Sequence, residues 1–481
     1  MQRQPLAPRS WVLHGVQEKR RNTSPSLTPP QPSPQSTMKM HFSIPVSQQR
    51  LDTLGGRYVL YSVYLEGFLF CKVRYSQLHR WNEQLKRVFG NNLPPFPPKY
   101  YLAMTTSMAD ERRDQLEQYL QNVPMDQNIL RSEVFIRFLK LLQQDTFKIT
   151  TKKVSLDVFL PDGRSIRIEI LTSDTAERVL EIVSYKMGLS RELIGYFSLF
   201  LIQFQSDNVL SVMKKMAEFE LPYVSLQSTE VENCKVGLRK WYMDPSLDSM
   251  LMDCQTAINL LYEQAVQEIE KKWAKPTEEQ RQELEALRKA GNQTKFLELA
   301  QKVQHYGYMQ LDSCACDYPE PGCVATLAVG NNEISCYFKL PSNQTQEVNF
   351  KMSRIKSWQV TFLGTLLEEE ESPQQTLNQN LELRFQYSEG NNSWQWFTIY
   401  SKQAFLLSSC LKKMITEKMM KLAAENPEMQ IEVPLEQGKR KKSYHQQSQT
   451  NSFDFPLRKG KISFKSTEED CVFETIREED L

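Results

Sequence analysis

The chain has 481 residues, enough for about three to four domains at roughly 100–200 residues each. Its 59 Lys+Arg stand against 58 Asp+Glu, and the resulting net charge of +1 argues against a general polyanion or nucleic-acid binder while leaving room for a local basic pocket. No apolar run approaches the roughly 18–20 residues of a membrane span, and MQRQPLAPRSWVLHG lacks the apolar centre of a secretory signal.

Residues 1–39 are rich in Pro, Ser, Gln and Arg and poor in large apolar residues, as in SPSLTPPQPSPQS. Such a segment buries too little surface to fold alone, so a disordered extension is expected. Residues 40–148 change character. HFSIPV, RYVLYSVYL and FLFCKVRY are β-rich runs, with Glu66-Gly67 as a hairpin turn between the last two. Leu78, Trp81, Leu85, Val88 and Phe89 then recur at helical spacing before Gly90. LPPFPPK must be extended. A helix around Asp110–Val123 and another around Ser132–Gln144 complete a small α+β domain: a three-stranded sheet first, then helices.

Residues 153–242 open with two alternating strands around Pro161-Asp162-Gly163, a strong hairpin signal. TSDTAERVLEIVSYKMGL reads as a helix capped by Ser173 or Asp174. YFSLFLIQF returns as a strand, giving a ubiquitin-like ββαβ grasp. Residues 245–312 are helical, with segments Ala257–Trp273, Glu278–Lys289 and Thr294–Tyr306. Residues 315–424 turn back to strands and close with one helix over Ser401–Leu422, the pattern of pleckstrin-homology and phosphotyrosine-binding (PTB) folds. The nine cysteines are scattered. Cys314, Cys316 and Cys323 cluster without a second pair at zinc spacing, so reduced thiols are expected. Residues 425–481 are polar and end in the acidic STEEDCVFETIREEDL, a second disordered end. No GxSxG, HExxH, Walker A or GxGxxG motif occurs, so no catalytic residue, metal or cofactor is named and a non-enzymatic protein is expected.

One constellation is basic. Arg74-Tyr75-Ser76 sits where a strand gives way to a helix, Lys99 ends PPFPPK, and Arg112 and Arg113 are placed at the opening of the next helix. Arginine forks onto phosphate oxygens, lysine supplies point charge, a tyrosine face stacks on a sugar-like ring, and a helix start adds backbone donors. Singly, each of these residues reads as ordinary surface charge. Together, strand–VRYSQL–helix, PPFPPK and ERRDQLEQYL resemble the PX (phox-homology) domain. The resemblance implies a site for phosphatidylinositol 3-phosphate. Arg74 would hold the 3-phosphate, with Ser76 beside it, and Tyr75 would pack under the inositol ring. Lys99 would meet the 1-phosphate and Arg112 the ring hydroxyls, with Arg113 as the competing choice. Tyr100, Tyr101, Leu102 and Met104 follow directly and suit a membrane-inserting loop; the alternative is packing against the domain.

The three later blocks resemble the F1, F2 and F3 lobes of a FERM domain. PX followed by FERM looks like the sorting nexin subfamily that includes 17, 27 and 31. This implies an adaptor, peripheral on early endosomal membrane from the cytoplasmic side, that captures Asn-Pro-x-Tyr or Asn-x-x-Tyr (NPxY/NxxY) motifs of transmembrane cargo for recycling. RIKSWQVTF would be an exposed strand of F3, with Trp358 lining the groove from the strand and Ile415 and Met419 from the helix. The plainer reading of these three is a core stripe. In the same subfamily an acidic tail docks the retriever complex, which here would read the end at Leu481. The rival reading is a cytoskeletal or signalling scaffold in which F1 binds a Ras-type GTPase.

Overall fold

The computed structural model describes residues 9–12, 40–51, 53, 57–90, 92–99, 106–204, 210–229, 231–362, 381–390, 393–425 and 474–475. Tyr100, Tyr101, Leu102, Met104 and Leu481 lie outside the described residues.

The first domain begins with β1 (Phe42–Leu51), β2 (Arg57–Leu65) and β3 (Phe68–Arg74), an antiparallel sheet in that order. Glu66 and Gly67 turn the β2–β3 hairpin with φ of 51° and 84°. Both values are positive, as a tight two-residue turn requires. Helix α1 (Tyr75–Phe89) buries Leu78, Trp81 and Leu85 and stops at Gly90, whose φ is 71°. Helix α2 (Thr106–Asn122) and helix α3 (Glu133–Phe147) follow. Helix α2 starts earlier than its apolar pattern indicates. Arg112 and Arg113 therefore stand more than a turn inside it, and the backbone donors of its start are not theirs to share.

The next lobe holds β4 (Lys153–Phe159), β5 (Ser165–Leu171), α4 (Ala176–Met187), β6 (Phe197–Phe204), β7 (Leu210–Lys215) and β8 (Cys234–Lys240). Its sheet order is β5-β4-β8-β6-β7, with β4 and β8 parallel, as in ubiquitin-like grasps. The cap of α4 is Thr175, which accepts from the Arg178 N–H, rather than Ser173 or Asp174. Asp174 is spent on the preceding turn, where it accepts from the Leu171 N–H. Helices α5 (Gln255–Glu270), α6 (Glu278–Lys289) and α7 (Gln293–Ala300) form the helical lobe, and α7 ends six residues before the expected Tyr306.

The last lobe is built from β9 (Cys314–Cys316), β10 (Cys323–Gly330), β11 (Glu333–Lys339), β12 (Thr345–Lys351), β13 (Ile355–Phe362), β14 (Leu381–Gly390), β15 (Ser393–Tyr400) and α8 (Ala404–Glu425). The sheet order is β13-β14-β15-β9-β10-β11-β12. Its two halves share one core, in which Leu327, Phe338, Phe350, Phe385 and Phe397 meet Phe405, Leu407 and Leu411 of α8. Cys314, Cys316 and Cys323 are buried there as free thiols. Burial pushes Cys314 up to about 12 and Cys316 up to about 11, so both stay protonated near neutral pH.

Sequence reading divides the first domain from the second, yet they share a core. Phe219, from the loop after β7, is buried among Phe42, Phe70 and Phe135, with ring centroids 6.1, 5.9 and 5.5 Å away. The neighbouring Leu221 N–H donates to Gln143 Oε1 of α3 at 3.0 Å. Phe219→Ala should therefore cost about 3–5 kcal/mol. Scanning calorimetry should show one lowered transition for both domains; an unchanged transition for the first domain would mean that it folds without this wedge.

Candidate functional site: a basic pocket and a strand–helix groove

The basic pocket is assembled from three separate pieces of chain. Arg74 is the cap of α1, and its backbone N–H donates to Gln77 Oε1 at 2.9 Å. Its guanidinium carbon lies 3.3 Å from the centre of the Tyr58 ring on β2. This stacking holds the fork flat and leaves its edge available for oxygen ligands. Tyr75 donates its hydroxyl to the Pro97 carbonyl at 2.9 Å, and its ring packs 5.6 Å from Phe96. Arg112 reaches the same loop from α2, donating from Nη2 to the Pro98 carbonyl at 3.3 Å. Its guanidinium carbon stands 4.3 Å above the Tyr75 ring.

The proline-rich segment is thus pinned at Pro97 by Tyr75 and at Pro98 by Arg112, and Lys99 is the next residue, exposed. Ser76 is exposed at the start of α1. Arg74, Tyr75, Lys99 and Arg112 are brought into one neighbourhood. Arg113 is not, because its guanidinium pairs with Asp110 at 3.2 Å and Asp114 at 3.5 Å on its own helix. Of the two arginines, Arg112 is the one that stands over the Tyr75 ring and the proline-rich loop. Tyr61 lies beneath, and burial raises its hydroxyl pKa against the opposing pull of Arg112. Sequence reading missed Tyr58. Nothing local marks it, since only the β2–β3 register brings it to Arg74.

The strand–helix groove differs from expectation. Trp358 is 3% exposed and donates its indole N–H to Ser408 Oγ of α8 at 2.9 Å. It is a core residue that ties β13 to α8. Trp358 shares with Val360 the face turned to α8, while Ser357 and Gln359 take the opposite face, which is buried as well. Ile415 is half-buried against the core and Met419 is 40% exposed. The free side of β13 is not bare either. Arg9–Val12 pairs with Phe362–Gln359, and Glu474–Thr475 with Trp358–Ser357, both antiparallel.

Comparison with known proteins covers most of the chain. A PX domain family model matches residues 67–141. The F1 lobe model of the sorting nexin 17/27/31 FERM domain matches 154–243, the sorting nexin 17/31 F2 lobe 244–304, and the sorting nexin 17 FERM C-terminal domain 307–419. Human sorting nexin-31 is 72% identical over 445 residues, covering 92% of this chain and all of that protein. Mouse sorting nexin-31 is 68% identical over 444 residues, with 92% and 100% covered. Human sorting nexin-17 is 42% identical over 386 residues, covering 79% of this chain and 82% of that protein.

The stacked Tyr58 makes a direct prediction. Tyr58→Ala should weaken binding of a soluble phosphorylated inositol headgroup by about five- to tenfold, the scale of a partly desolvated cation–π contact. Tyr58→Phe should leave it intact. Calorimetry on both variants checks this, and equal loss in the two would assign the effect to the hydroxyl instead of the ring.

Proposed function

The chain belongs to the sorting nexin family, in the branch that joins a PX domain to a FERM domain, and we propose that it is a non-enzymatic adaptor reading phosphatidylinositol 3-phosphate with the first domain and NPxY/NxxY cargo tails with the last lobe. The family supports an endosomal sorting role. Among the described residues no helix is long and apolar enough to cross a membrane, in keeping with peripheral attachment. The observation that carries the lipid reading is the pinned loop: Pro97 and Pro98 are held by the two aromatic and cationic side chains that would frame the ring. Arg74 grips the 3-phosphate bidentately with Ser76 at the same helix start. Tyr75 forms the floor, Lys99 meets the 1-phosphate and Arg112 the ring hydroxyls. Tyr100, Tyr101, Leu102 and Met104 follow Lys99 in sequence and enter the bilayer interface.

The cargo tail is read as an added strand along β13, against the outer half of α8 at Ile415 and Met419. It competes there with the short segments already paired to that edge. Trp358 supports this wall from within by fixing the strand to the helix. The acidic end at Leu481 is the proposed contact for the retriever complex. A Ras-type GTPase on F1 remains the reading of the scaffold alternative, and no particular contact in F1 favours it.

Arg74→Gln should remove a charge-assisted bidentate contact worth about 2–3 kcal/mol. Sedimentation with liposomes carrying phosphatidylinositol 3-phosphate should show the protein released with its melting temperature nearly unchanged; equal binding would sink the lipid assignment. Ile415→Asp should abolish calorimetric binding of an NPxY peptide, since the docked peptide must desolvate a new carboxylate at a cost of several kcal/mol. Peptide binding that survives Ile415→Asp with Met419→Ala would place the cargo site elsewhere.

A further inference from the structure

The β2–β3 turn does more than reverse the chain. Glu66 and Gly67 reach across to α8, a helix more than three hundred residues away in sequence. Glu66 holds a left-handed backbone that a glutamate rarely adopts. Its carboxylate accepts from the His41 backbone N–H at 3.2 Å and from the Ser409 hydroxyl at 3.3 Å, and it faces the Lys412 and Lys214 charges. Lys412 donates to His41 Nε2 at 2.6 Å, and because an ammonium has only donors, that imidazole nitrogen is the acceptor. The His41 ring lies 5.2 Å from Phe405. Gly67 is packed so closely that a Cβ there would stand 2.9 Å from the Phe405 ring. From the F1 side, Lys214 closes the junction by pairing with Glu220 at 2.5 Å beneath Phe68.

Three lobes therefore meet on one polar cluster, buried at His41, Lys412, Lys214 and Glu220 and half-buried at Glu66 and Ser409, and its helix is shared. Ser408, Lys412, Ile415 and Met419 are spaced by four, three and four residues, which puts them on one face of α8. The first half of that face receives the PX turn. The second half is the wall assigned to the cargo tail.

We propose that His41, Glu66, Ser409 and Lys412 form a positioning joint that fixes the phosphoinositide pocket at one bearing to the tail-binding helix, so that membrane lipid and cargo tail are engaged by a single rigid body. The inference rests on the lipid and cargo reading above. The joint residues touch neither ligand; they act through the placement of α8. A second site held at the right span sees a high effective concentration of its ligand, and a site held loosely or at the wrong span loses that gain.

The test uses the full chain. Lys412→Glu sets a second carboxylate against Glu66, and Gly67→Ala drives a methyl into Phe405. Three quantities are measured. One is the distance distribution between dyes on the first domain and the last lobe. Another is the solution affinity for the soluble headgroup of phosphatidylinositol 3-phosphate and for an NPxY peptide, each alone. The third is flotation with vesicles carrying the lipid, a lipid-anchored NPxY peptide, or both. Wild type should bind the two-ligand vesicles at least about 10²-fold more tightly than either single kind. Both variants should keep each solution affinity within about twofold, broaden the distance distribution, and lose about tenfold or more of the two-ligand gain.

A full gain with a broadened distribution overturns the proposal. So does a distribution that stays narrow in both variants. Failure of wild type to bind the peptide in solution sinks the cargo reading instead, and the distance measurement still decides whether the joint fixes the lobes. If Lys412→Glu does not fold, Glu66→Gln with Lys412→Met removes both charges together and is read by the same measurements.

Discussion

A half-buried glutamate at the meeting point of three lobes governs how this molecule is put together. Taking a carboxylate and an ammonium out of water costs several kcal/mol per ion, and their attraction repays this only when hydrogen bonds satisfy the remaining atoms. Glu66 accepts from the His41 backbone N–H and the Ser409 hydroxyl, and the Lys412 charge that faces it is itself bonded to His41. Its carboxyl pKa is nevertheless raised, with burial the largest cause and Lys412 the main opposing one. Nearby, burial lowers the Lys215 ammonium pKa. An apolar patch of the same size would hold the lobes with less demand on geometry. The polar cluster accepts one mutual orientation, because a small slip leaves a buried charge without its partners.

The rest of the arrangement follows from that fixed orientation. The hairpin that ends in Glu66-Gly67 is the same one whose β3 strand delivers Arg74 to the start of α1. The helix that receives the hairpin is the one that Trp358 ties to β13. Phe219 adds an apolar wedge between the first two domains. The PX and FERM parts are therefore joined by packed and hydrogen-bonded surfaces, and the basic pocket and the strand–helix groove are linked through one connected set of contacts.

The pocket shows how stiff backbone and adaptable side chains divide the work. Prolines 94, 95, 97 and 98 limit the conformations of the loop before any ligand arrives. The carbonyls of Pro97 and Pro98, having no helix or sheet to serve, are taken up by Tyr75 and Arg112. Arg74 is steadied by the Tyr58 ring, and among the described residues no carboxylate pairs with it, which suits its charge to phosphate. Arg113, one residue along, has the opposite fate: two aspartates of its own helix neutralise it.

The sequence by itself determined what depends on neighbours along the chain. The hairpins at Glu66-Gly67 and Pro161-Asp162-Gly163, the helix ended by Gly90, and the change from strands to helices and back are written in local spacing and turn residues. The basic pocket was legible as three motifs because each keeps its own local setting. What only the tertiary structure decided involves partners brought together from afar. Whether Arg112 or Arg113 meets the Tyr75 ring depends on which face of α2 packs against the domain, while the missing backbone donors at Arg112 follow from where that helix begins. Trp358 reads equally well as groove or core until strand alternation sets its face against Ser408. Phe219 looks like a loop residue until it finds Phe42, Phe70 and Phe135. Tyr58 has no local sign of its role, and Glu66 reads as a surface turn. Periodicity reports which residues share a face, but not which distant face they will meet, so the contact of Glu66 with Ser409 became visible only when the lobes were seen together.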